Sequence, residues 1–422
     1  MTDSDDSTLL GDARAISTQW RSQMDLATMT DALLAEAGLR SSTLDVVAIG
    51  KASREMTAAV EDSLGERVRR RVMVCDIDVA RGSTSPDVVV GEHPVPGPES
   101  LRAGAAVLHF LDQPTDADAT NFLISGGASS LCVVPADPLT LGDLHQVWEL
   151  ALRAGSDITT LNMIRAASSL VAGGAVLRHV RTPRSTSFIL VDNVISGARW
   201  VASSITYDYQ PSEEEVARLF GEIGVADPAL RDRLLEGFRT RAAAMATPVS
   251  ARHENRVLAE PAQMLTLALT EARRRGYHVI DMGARVSGDV SDIVREWSAV
   301  MASAPSGPVA LVGVGEVTVR VSGSGRGGRC QEFAWLMADV LAWARRPCAF
   351  VAQASDGRDH LEGVAGAWVD DTTRARLVAA GLDWETVRDS HDTYPALHAL
   401  GNVIEGAHTG WNLCDLYVAT LE

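Results

Sequence analysis

The sequence predicts a two-domain α/β protein, and three observations support this fold class. The chain has 422 residues, too many for one ordinary hydrophobic core and enough for two domains of roughly 150 to 250 residues. Short β-branched runs that end in Gly, Ser or Asp alternate with longer stretches of helical periodicity, a pattern typical of parallel α/β architecture. Hydrophobic residues make up 46% of the chain and charged residues 22%, as in folded globular proteins.

A change of composition predicts where the two domains meet. Residues 241–250 read R-A-A-A-M-A-T-P-V-S, a stretch in which strand-like runs stop and a flexible connection is expected. We therefore expect an N-terminal domain at residues 1–245 and a C-terminal domain at residues 255–422. A cleft between two such domains is a common place for a ligand.

Periodicity predicts the individual elements. Strands are expected at residues 45–49, 121–124, 186–191, 278–281, 309–312, 317–321 and 348–352. Helices are expected at residues 53–64, 141–154, 162–179, 213–220, 261–275, 331–345 and 372–380. In the helix at 331–345, an apolar stripe that includes Phe333, Met337 and Leu341 is expected to pack against a sheet.

Charge and composition exclude several classes of protein. The formal net charge of −17 repels phosphate backbones, so no nucleic-acid partner is expected. No apolar run reaches the roughly 18 residues of a membrane span, and residues 1–6 are acidic where a signal peptide would be basic; a cytoplasmic protein without a membrane partner is expected. The five cysteines are scattered without a C-x-x-C pair, which predicts reduced, mostly buried thiols and no metal site made by the protein alone.

Three predicted strand ends carry residues that could act on a ligand, because ligands of open α/β sheets bind beyond the carboxyl ends of the strands. Gly50 allows a tight turn and Lys51 puts an ammonium at the start of a helix, where it could hold phosphate or be a solvated surface lysine. The small residues at 125–130 could aim backbone N–H groups at an anion or form an ordinary turn, since the Walker A ending is missing. Asp192 could accept a hydroxyl proton, hold Mg²⁺ or cap a helix.

A fourth loop, Gly323 to Arg329, has the G-x-G-x-x-G spacing of a dinucleotide-binding turn. The preceding strand is not the first of its domain, and the nearest acid after the next strand, Asp356, lies farther along than a ribose-binding acid normally does. Arg326 and Arg329 would suit bidentate binding of phosphate or carboxylate. The spacing alone is therefore weak evidence for NAD, and an anion-binding loop is the favoured interpretation.

Two further loops contain polar groups between turn residues. Residues 92–97 read E-H-P-V-P-G, a proline-fixed loop in which His93 could contact a substrate or simply take part in a turn. Residues 406–415 read G-A-H-T-G-W-N-L-C-D and, taken locally, indicate a polar turn and no more.

Together and in this order, these segments resemble the type 2 glycerate kinase family, whose C-terminal half is called the MOFRL module. The resemblance covers the chain from about residue 10 to its end. The matching motifs are I-G-K-A (49–52), H-P-V-P (93–96), L-I-S-G-G (123–127), L-N-M-I-R (161–165), the strand that ends on Asp192, G-E-V-T-V (315–319), G-R-G-G-R-x-Q-E (325–332), S-D-G-x-D (355–359) and H-T-G-x-N-x-x-D (408–415).

The resemblance implies an N-terminal Rossmann-like parallel sheet with helices on both faces, a C-terminal α/β domain of the MOFRL type, and an active site in the cleft between them. It also implies Mg²⁺-dependent transfer of the ATP γ-phosphoryl group to the 2-hydroxyl of D-glycerate, with Mg²⁺ arriving with the nucleotide. The expected partners are a small hydroxy acid and a nucleotide, and the chain could form a homodimer.

On this resemblance, Lys51, Asp192 and Arg329 are the predicted catalytic residues. Lys51 and Arg329 would bind the substrate carboxylate or neutralise the transferring phosphoryl group, and Asp192 would orient the acceptor hydroxyl or take its proton. The predicted nucleotide-binding residues are Ser125, Gly126, Gly127, Ser129 and Ser130. The other predicted substrate-binding or cleft residues are His93, Arg165, Asn193, Glu316, Gly325, Gly328, Asp356, Asp359, Thr409 and Asn412.

Some of these loops depart from the family pattern. Residues 165–169 read R-A-A-S-S where the family has R-K-H-L-S, residues 203–206 read S-S-I-T in place of S-G-P-T, and Ala128 replaces a glycine. An alternative is therefore a divergent paralogue of secondary metabolism that transfers a phosphoryl or phosphonyl group from another nucleotide-activated donor to a glycerate-like acceptor. An NAD-dependent oxidoreductase and a catalytically inactive binding protein are lesser alternatives.

Overall fold

The structure is a computed structural model that describes residues 8–422, so the acidic segment at 1–6 lies outside the described residues. Contacts divide the chain into two compact units. We call residues 26–191 together with 195–259 the N-terminal unit. Residues 8–25, 192–194 and 260–422 form the C-terminal unit.

The N-terminal unit is built on a six-stranded sheet in which all neighbouring strands are parallel. Its strands are β1 (Leu44–Ile49), β2 (Val68–Cys75), β3 (Val88–Val90), β4 (Ala119–Ile124), β5 (Arg184–Leu190) and β6 (Arg252–Ala259). Their order is β3-β2-β1-β4-β5-β6, the doubly wound order of dinucleotide-binding folds. Every residue of β1 and β4 is buried, as expected when helices cover both faces of a parallel sheet.

The C-terminal unit contains a second six-stranded sheet, of mixed direction. Its strands are β7 (His278–Asp289), β8 (Val309–Thr318), β9 (Cys348–Ala354), β10 (Val364–Asp370), β11 (Val403–Glu405) and β12 (Asp415–Leu421). They are ordered β11-β10-β9-β12-β8-β7, and only β7 and β8 run parallel. The predicted fold class, an α/β protein with a parallel N-terminal sheet and an α/β C-terminal part, is confirmed.

The α-helices of residues 8–422 fill the connections between these strands. They are α1 (Thr8–Thr18), α2 (Leu26–Glu36), α3 (Ser53–Leu64), α4 (Ile77–Ala80), α5 (Pro98–Asp112), α6 (Ala128–Leu131), α7 (Leu141–Arg153), α8 (Ile158–Ser168), α9 (Gly197–Trp200), α10 (Glu213–Glu222), α11 (Pro228–Met245), α12 (Pro261–Arg274), α13 (Val290–Ser303), α14 (Arg329–Ala342), α15 (Thr373–Ala379), α16 (Trp384–Ser390) and α17 (Thr393–Ala399). Helices α1 and α12 to α17 belong to the C-terminal unit and the others to the N-terminal unit.

The core of the C-terminal unit is rich in aromatic side chains. Trp297 of α13 meets Phe333 and Phe350 edge to face, with ring centroids 5.7 and 5.6 Å apart, a favourable aromatic geometry. Met337 and Leu341 are fully buried in the same cluster. The apolar stripe predicted for α14 therefore packs as expected.

The two units differ from the predicted domains at 1–245 and 255–422. Helix α1 belongs to the C-terminal unit, where the Leu9 carbonyl accepts a hydrogen bond from Thr420 of β12 at 2.9 Å and the Asp12 carboxylate accepts one from Tyr277 at 2.8 Å. At the other limit, β6 adds a sixth strand to the first sheet and extends the N-terminal unit to residue 259.

Glycines contribute to two further differences from the predicted elements. The helix expected at 162–179 ends at Ser168, because Ser169 has extended backbone and bridges Pro135; Gly173 and Gly174 follow with φ of +58° and +77°, values that prevent the helix from resuming there. The strand expected at 309–312 and the first two residues of the one expected at 317–321 belong to a single strand, β8, which ends at Thr318. Gly313 and Gly315 let this strand pass close to β7; a Cβ on Gly315 would overlap the Val286 backbone.

Candidate functional site

The direction of strand addition reverses between β1 and β4, and the loops that follow these two strands interlock. The two strands pair in register up to Ile49 and Ile124, so both loops begin at the same level of the sheet. The Ser125 N–H donates to the Ile49 carbonyl at 3.1 Å, and the Lys51 N–H donates to the Gly126 carbonyl at 2.9 Å. A strand-order reversal of this kind is where open α/β sheets bind ligands.

Close approach requires Gly50 at this point. Its φ is +131°, and a Cβ there would overlap the Ser125 side chain and backbone. The Ser125 hydroxyl instead accepts a hydrogen bond from the Ala52 N–H at 3.0 Å. The predicted turn after β1 and the predicted anion loop after β4 therefore form one structure.

Gly127 separates the side chains of Lys51 and His93. A Cβ on Gly127 would lie 3.2 Å from Cδ2 of His93 and 3.3 and 3.4 Å from Cγ and Cε of Lys51. Gly127 also has a left-handed φ of +83°, which favours glycine. The structure thus brings together predicted residues from three separate loops.

The pKa of His93 also reflects the proximity of Lys51. Loss of hydration is the largest effect that lowers the pKa of His93, followed by the Lys51 ammonium, with a smaller contribution from Arg165 and an opposing one from Asp76. His93 is therefore neutral at neutral pH. Its loop is held by Ser130, whose hydroxyl donates to the Pro94 carbonyl at 2.8 Å.

A chain of hydrogen bonds fixes the hydroxyl of Ser129. The Ser203 hydroxyl donates to Oδ1 of Asn162 at 3.0 Å and lies 2.7 Å from the Ser129 hydroxyl. Because the Ser203 proton is used on Asn162, Ser129 donates to Ser203 and its own lone pairs remain able to accept. Asn162 and Ser203 were absent from the predicted site, although both lie in segments that were compared with the family motifs.

The turn that carries Ser203 has a strained backbone. Ala202, Ser203 and Ser204 have φ values of 56°, 52° and 61°, a left-handed conformation that residues with a Cβ rarely adopt. Backbone strain of this kind is concentrated at functional sites. Nothing in the composition of residues 202–204 signals it.

Arg165, on α8, lies over the ring of Trp148 on α7. The guanidinium carbon is 4.7 Å from the ring centroid, and burial lowers the pKa of Arg165 to about 10. The sequence predicted Arg165 as a site residue but contained no signal for Trp148.

In the C-terminal unit, Arg329 is bound by carboxylates of the protein itself. Its Nε and Nη2 donate to the two oxygens of Asp415 at 2.6 and 2.8 Å, and Nη1 lies 3.3 Å from Glu316. Asp415 is fully buried and also accepts from the Tyr417 hydroxyl at 3.0 Å. Burial lowers the pKa of Arg329, but Asp415 more than offsets this effect and the net shift is upward.

The glycine loop at 323–328 packs against residues 390–393. The Gly325 N–H donates to the Ser390 carbonyl at 2.9 Å, and the Arg326 N–H donates to the Asp392 carboxylate at 2.7 Å. A Cβ on Gly325 would overlap the Asp392 backbone. These glycines therefore permit close packing of two protein segments.

The start of α14 is likewise occupied by the protein. The Asp359 carboxylate is fully buried and accepts from the N–H groups of Cys330 and Gln331 at 3.0 and 2.9 Å. A Cβ on Gly328 would overlap Asp359. Four N–H donors of this region, those of Gly325, Arg326, Cys330 and Gln331, are thus bonded within the protein, and the anion-binding interpretation of the loop stays a prediction.

The remaining predicted residues of the C-terminal unit organise its loops. The Asp356 carboxylate accepts from the Arg358 N–H at 2.9 Å, and burial raises the pKa of Asp356. Oδ1 of Asn412 accepts from the Ser355 hydroxyl at 2.9 Å, and the Thr409 hydroxyl donates to the Trp411 carbonyl at 2.8 Å.

Asp192 and Asn193 belong to the short 192–194 segment, which groups with the C-terminal unit. The Asp192 carbonyl accepts from the Cys414 thiol at 3.1 Å, so Asp192 lies beside the loop that carries Asn412. The catalytic roles predicted for Lys51, Asp192 and Arg329 stay predictions.

Residues 8–422 offer neither a ready metal centre nor a membrane-spanning helix. They contain no group of three or more His, Cys, Asp and Glu side chains placed to hold a metal ion. None of the helices described in that range is long and apolar enough to span a membrane. All five cysteines are buried and unpaired.

Comparison with protein families gives two matches. Residues 13–235 match a domain of unknown function (DUF4147), and residues 309–415 match the MOFRL family. The second match agrees with the C-terminal type that the sequence resemblance implied.

Individual proteins match over nearly the whole chain. D-glycerate 2-kinase from Thermotoga maritima is 27% identical over 386 residues, which cover 89% of this chain and 90% of that protein. A protein from Agrobacterium vitis with the provisional name hydroxypyruvate reductase is 28% identical over 380 residues, covering 88% and 85%. A crystal structure of glycerate kinase from Thermotoga maritima has the same fold, with a TM-score of 0.81, 24% identity and coverage of 97% of this chain and 99% of that one.

Proposed function

This chain belongs to the glycerate kinase family, and from that premise we propose that it transfers the γ-phosphoryl group of ATP to the 2-hydroxyl of D-glycerate in a Mg²⁺-dependent reaction. The DUF4147 match alone spans residues 13–235, more than half of the chain, and the MOFRL match follows it. The predicted family and the predicted class of enzyme, a phosphotransferase that acts on an alcohol group, are confirmed. The nucleotide, the ion and the acceptor are the proposed part.

The observation that carries the proposal is the position of Lys51 at the strand-order reversal, beside Gly127 and the Ser125 hydroxyl. Phosphoryl transfer depends on positioning and charge neutralisation more than on covalent chemistry of the protein. We infer that the Lys51 ammonium neutralises the transferring phosphoryl group. The backbone N–H groups at 126–127 would hold the nucleotide phosphates, whereas the Ser129 hydroxyl, whose proton goes to Ser203, could only accept a hydrogen bond from the ligand.

The residues present fit a magnesium ion that arrives with the nucleotide. Mg²⁺ commonly keeps several waters and is held by one or two carboxylates together with phosphate oxygens. Asp192 is proposed to orient the acceptor hydroxyl or take its proton, and when bound the ion would neutralise phosphate charge.

We propose that Arg329 lies beside the substrate, but its ion pairs with Asp415 and Glu316 limit which further groups it can bind. Two of its donors are committed to Asp415, and only Nη1 faces the half-exposed Glu316. We infer that Arg329 contributes a fixed charge and holds the Glu316 region in place. This assignment leaves the acceptor carboxylate to another cation.

Two relatives carry the name of a reductase, which makes the oxidoreductase alternative worth testing. The glycine loop with dinucleotide spacing does not support that alternative, because its N–H donors bond to Ser390 and Asp392. The divergent loops noted in the sequence keep a different phosphoryl or phosphonyl donor as the second alternative.

The test is incubation of the purified protein with Mg-ATP and D-glycerate, followed by ³¹P NMR to distinguish 2-phosphoglycerate from 3-phosphoglycerate. We expect 2-phosphoglycerate with the wild-type protein and none with Lys51→Ala. Absence of product at high enzyme concentration would contradict the proposal. Oxidation of NADH with hydroxypyruvate in a parallel reaction would favour the reductase instead.

A further inference from the structure

Among the residues that the structure describes, Arg165 contacts the ring of Trp148 but has no carboxylate or carbonyl partner like those of Arg241 and Arg329. Arg241 donates to the carbonyls of Gly173 and Tyr209 at 2.9 and 3.0 Å, and Arg329 is paired with Asp415. In the described part of the chain, Nε of Arg165 is buried without a hydrogen-bond acceptor, and no acidic side chain influences its ionisation. Burying an unpaired cation is costly, which suggests that a ligand supplies the missing anion.

A second orphaned donor lines the same cavity. Trp148 is 7% exposed, and its indole N–H is buried without a partner among the described residues. Arg165, Trp148, Ser129 and Ser203 are polar residues in the lining of a cavity of about 20 Å³. Its other walls are mainly apolar, so two residues with an unused buried donor line one small space.

The size of the cavity argues for a small oxyanion. A volume of about 20 Å³ admits roughly one water-sized group, which leaves room for one carboxylate oxygen and excludes a nucleoside or a polyphosphate. Ser129, in the lining of this cavity, is two residues after Gly127, which lies beside Lys51 and His93, and Arg165 also contributes to the lowered pKa of His93. A carboxylate held by Arg165 would therefore belong to a molecule near the Lys51 ammonium.

We propose that Arg165, stacked on Trp148, binds the carboxylate of the acceptor and thereby restricts this enzyme to hydroxy acids. The inference rests on the proposed function, in which Lys51 serves the phosphoryl group and Arg329 is engaged by Asp415. A guanidinium can present two parallel N–H groups to a carboxylate, and contact with the Trp148 ring, 4.7 Å away, restrains its position.

The principal test compares Arg165→Met and Arg165→Lys with the wild-type protein. Loss of charge-assisted hydrogen bonds should lower kcat/KM for D-glycerate by about 10- to 100-fold, mainly through KM, while KM for ATP changes less than about twofold. Lysine should not restore the activity, because it cannot form the planar bidentate contact. Arg153→Met is the matched control: Arg153 is a mostly exposed arginine on α7, and its loss should leave both KM values unchanged.

Two further measurements separate recognition from a merely structural role. The ratio of kcat/KM for D-glycerate to that for the uncharged D-glyceramide should shrink in Arg165→Met by the same factor by which glycerate activity falls. The melting temperature of Arg165→Met should not decrease, because the substitution removes an unpaired buried charge. A lower melting temperature with an unchanged substrate ratio would overturn the inference.

The outcomes distinguish this inference from the proposed function. If the wild-type protein phosphorylates D-glycerate and Arg165→Met keeps the same KM for it, the inference is wrong and the function stands. A rise in KM for ATP alone would make Arg165 a phosphate ligand and would also refute the inference. If no kinase activity is found, calorimetric binding of D-glycerate or D-lactate that is lost in Arg165→Met would support the inference without the function, and binding that is equal in both proteins would refute it.

Discussion

Replacing Gly127 with alanine tests whether the space between Lys51 and His93 is the reaction site. The new Cβ would lie 3.2 Å from Cδ2 of His93 and 3.3 Å from Cγ of Lys51, closer than the usual separation of about 3.5 to 4.0 Å between carbon atoms. Both side chains must therefore move by a few tenths of an ångström. The left-handed φ of +83° adds a backbone cost.

The magnitude can be worked out with a matched glycine. Gly155, after α7, has φ +66°, and no other atom lies within 4 Å of the position that a Cβ would take there, so Gly155→Ala measures the backbone effect alone. A left-handed Ala costs about 1–2 kcal/mol, and lower entropy of the unfolded chain returns about 0.4–1 kcal/mol. Each variant should therefore lose about 1 kcal/mol in free energy of unfolding.

Activity should separate the two variants. A misplacement of about 1 Å can reduce the rate about 100-fold, so a shift of several tenths of an ångström at Lys51 should lower kcat/KM by about tenfold in Gly127→Ala. Gly155→Ala should keep the wild-type value. Urea unfolding and initial rates with Mg-ATP and D-glycerate are the two measurements. Equal kcat/KM values for both variants, within about twofold, would refute the assignment of the site.

Three further predictions concern the N-terminal unit. Lys51→Ala should lower kcat by about 10²- to 10³-fold. Because the Lys51 ammonium lowers the pKa of His93, an NMR titration of this variant should show the His93 pKa rising towards its ordinary value. An unchanged pKa of His93 would argue against the proximity of the two side chains. Burial raises the pKa of Asp143, but hydrogen bonding to Arg233 and Thr140 more than offsets this effect, and the net shift of the pKa is downward. The Asp143 carboxylate therefore stabilises the folded state at pH values above its pKa in the unfolded chain. This stabilisation is lost as the pH falls through the lower pKa of the folded state. The melting-temperature difference between wild type and Asp143→Asn should therefore shrink from about pH 7 to about pH 3, and a constant difference would contradict this linkage. Ser203→Ala leaves a buried amide oxygen without its donor and should cost about 1–3 kcal/mol in urea unfolding; an unchanged midpoint would show that the hydrogen bond contributes nothing.

Elements with a regular apolar spacing were predicted correctly from the local sequence. Helix α3 was expected at 53–64 and is found there, because its apolar spacing is regular. Strand β6 was missed because it begins R-H-E-N-R and only its last two residues are buried, as suits an edge strand. The helix expected at 162–179 ends early because Ser169 is extended and pairs with Pro135, a long-range contact that local periodicity does not reveal.

The composition of the site was more predictable than its arrangement. Lys51 and Gly127 were identified from their own loops, but their contact with His93 depends on the register of β1 with β4, which is long-range information. The partner of Arg329, Asp415, lies in a segment that looked like an ordinary polar turn. Trp148 sits in an unremarkable amphipathic helix and could be recognised only by its position under Arg165.

The place of α1 in the C-terminal unit has a consequence for how the protein is made. Helix α1, which contains the buried residues Leu10, Ala13 and Ile16, contacts β9 and β12. Because β9 and β12 are synthesised much later than α1, the helix cannot form its native contacts until most of the chain has left the ribosome. During that interval its apolar face is without its native cover and open to chaperones. An excised MOFRL segment of 309–415 would lack both α1 and most of β12, so we expect it to fold poorly alone even though it matches a family.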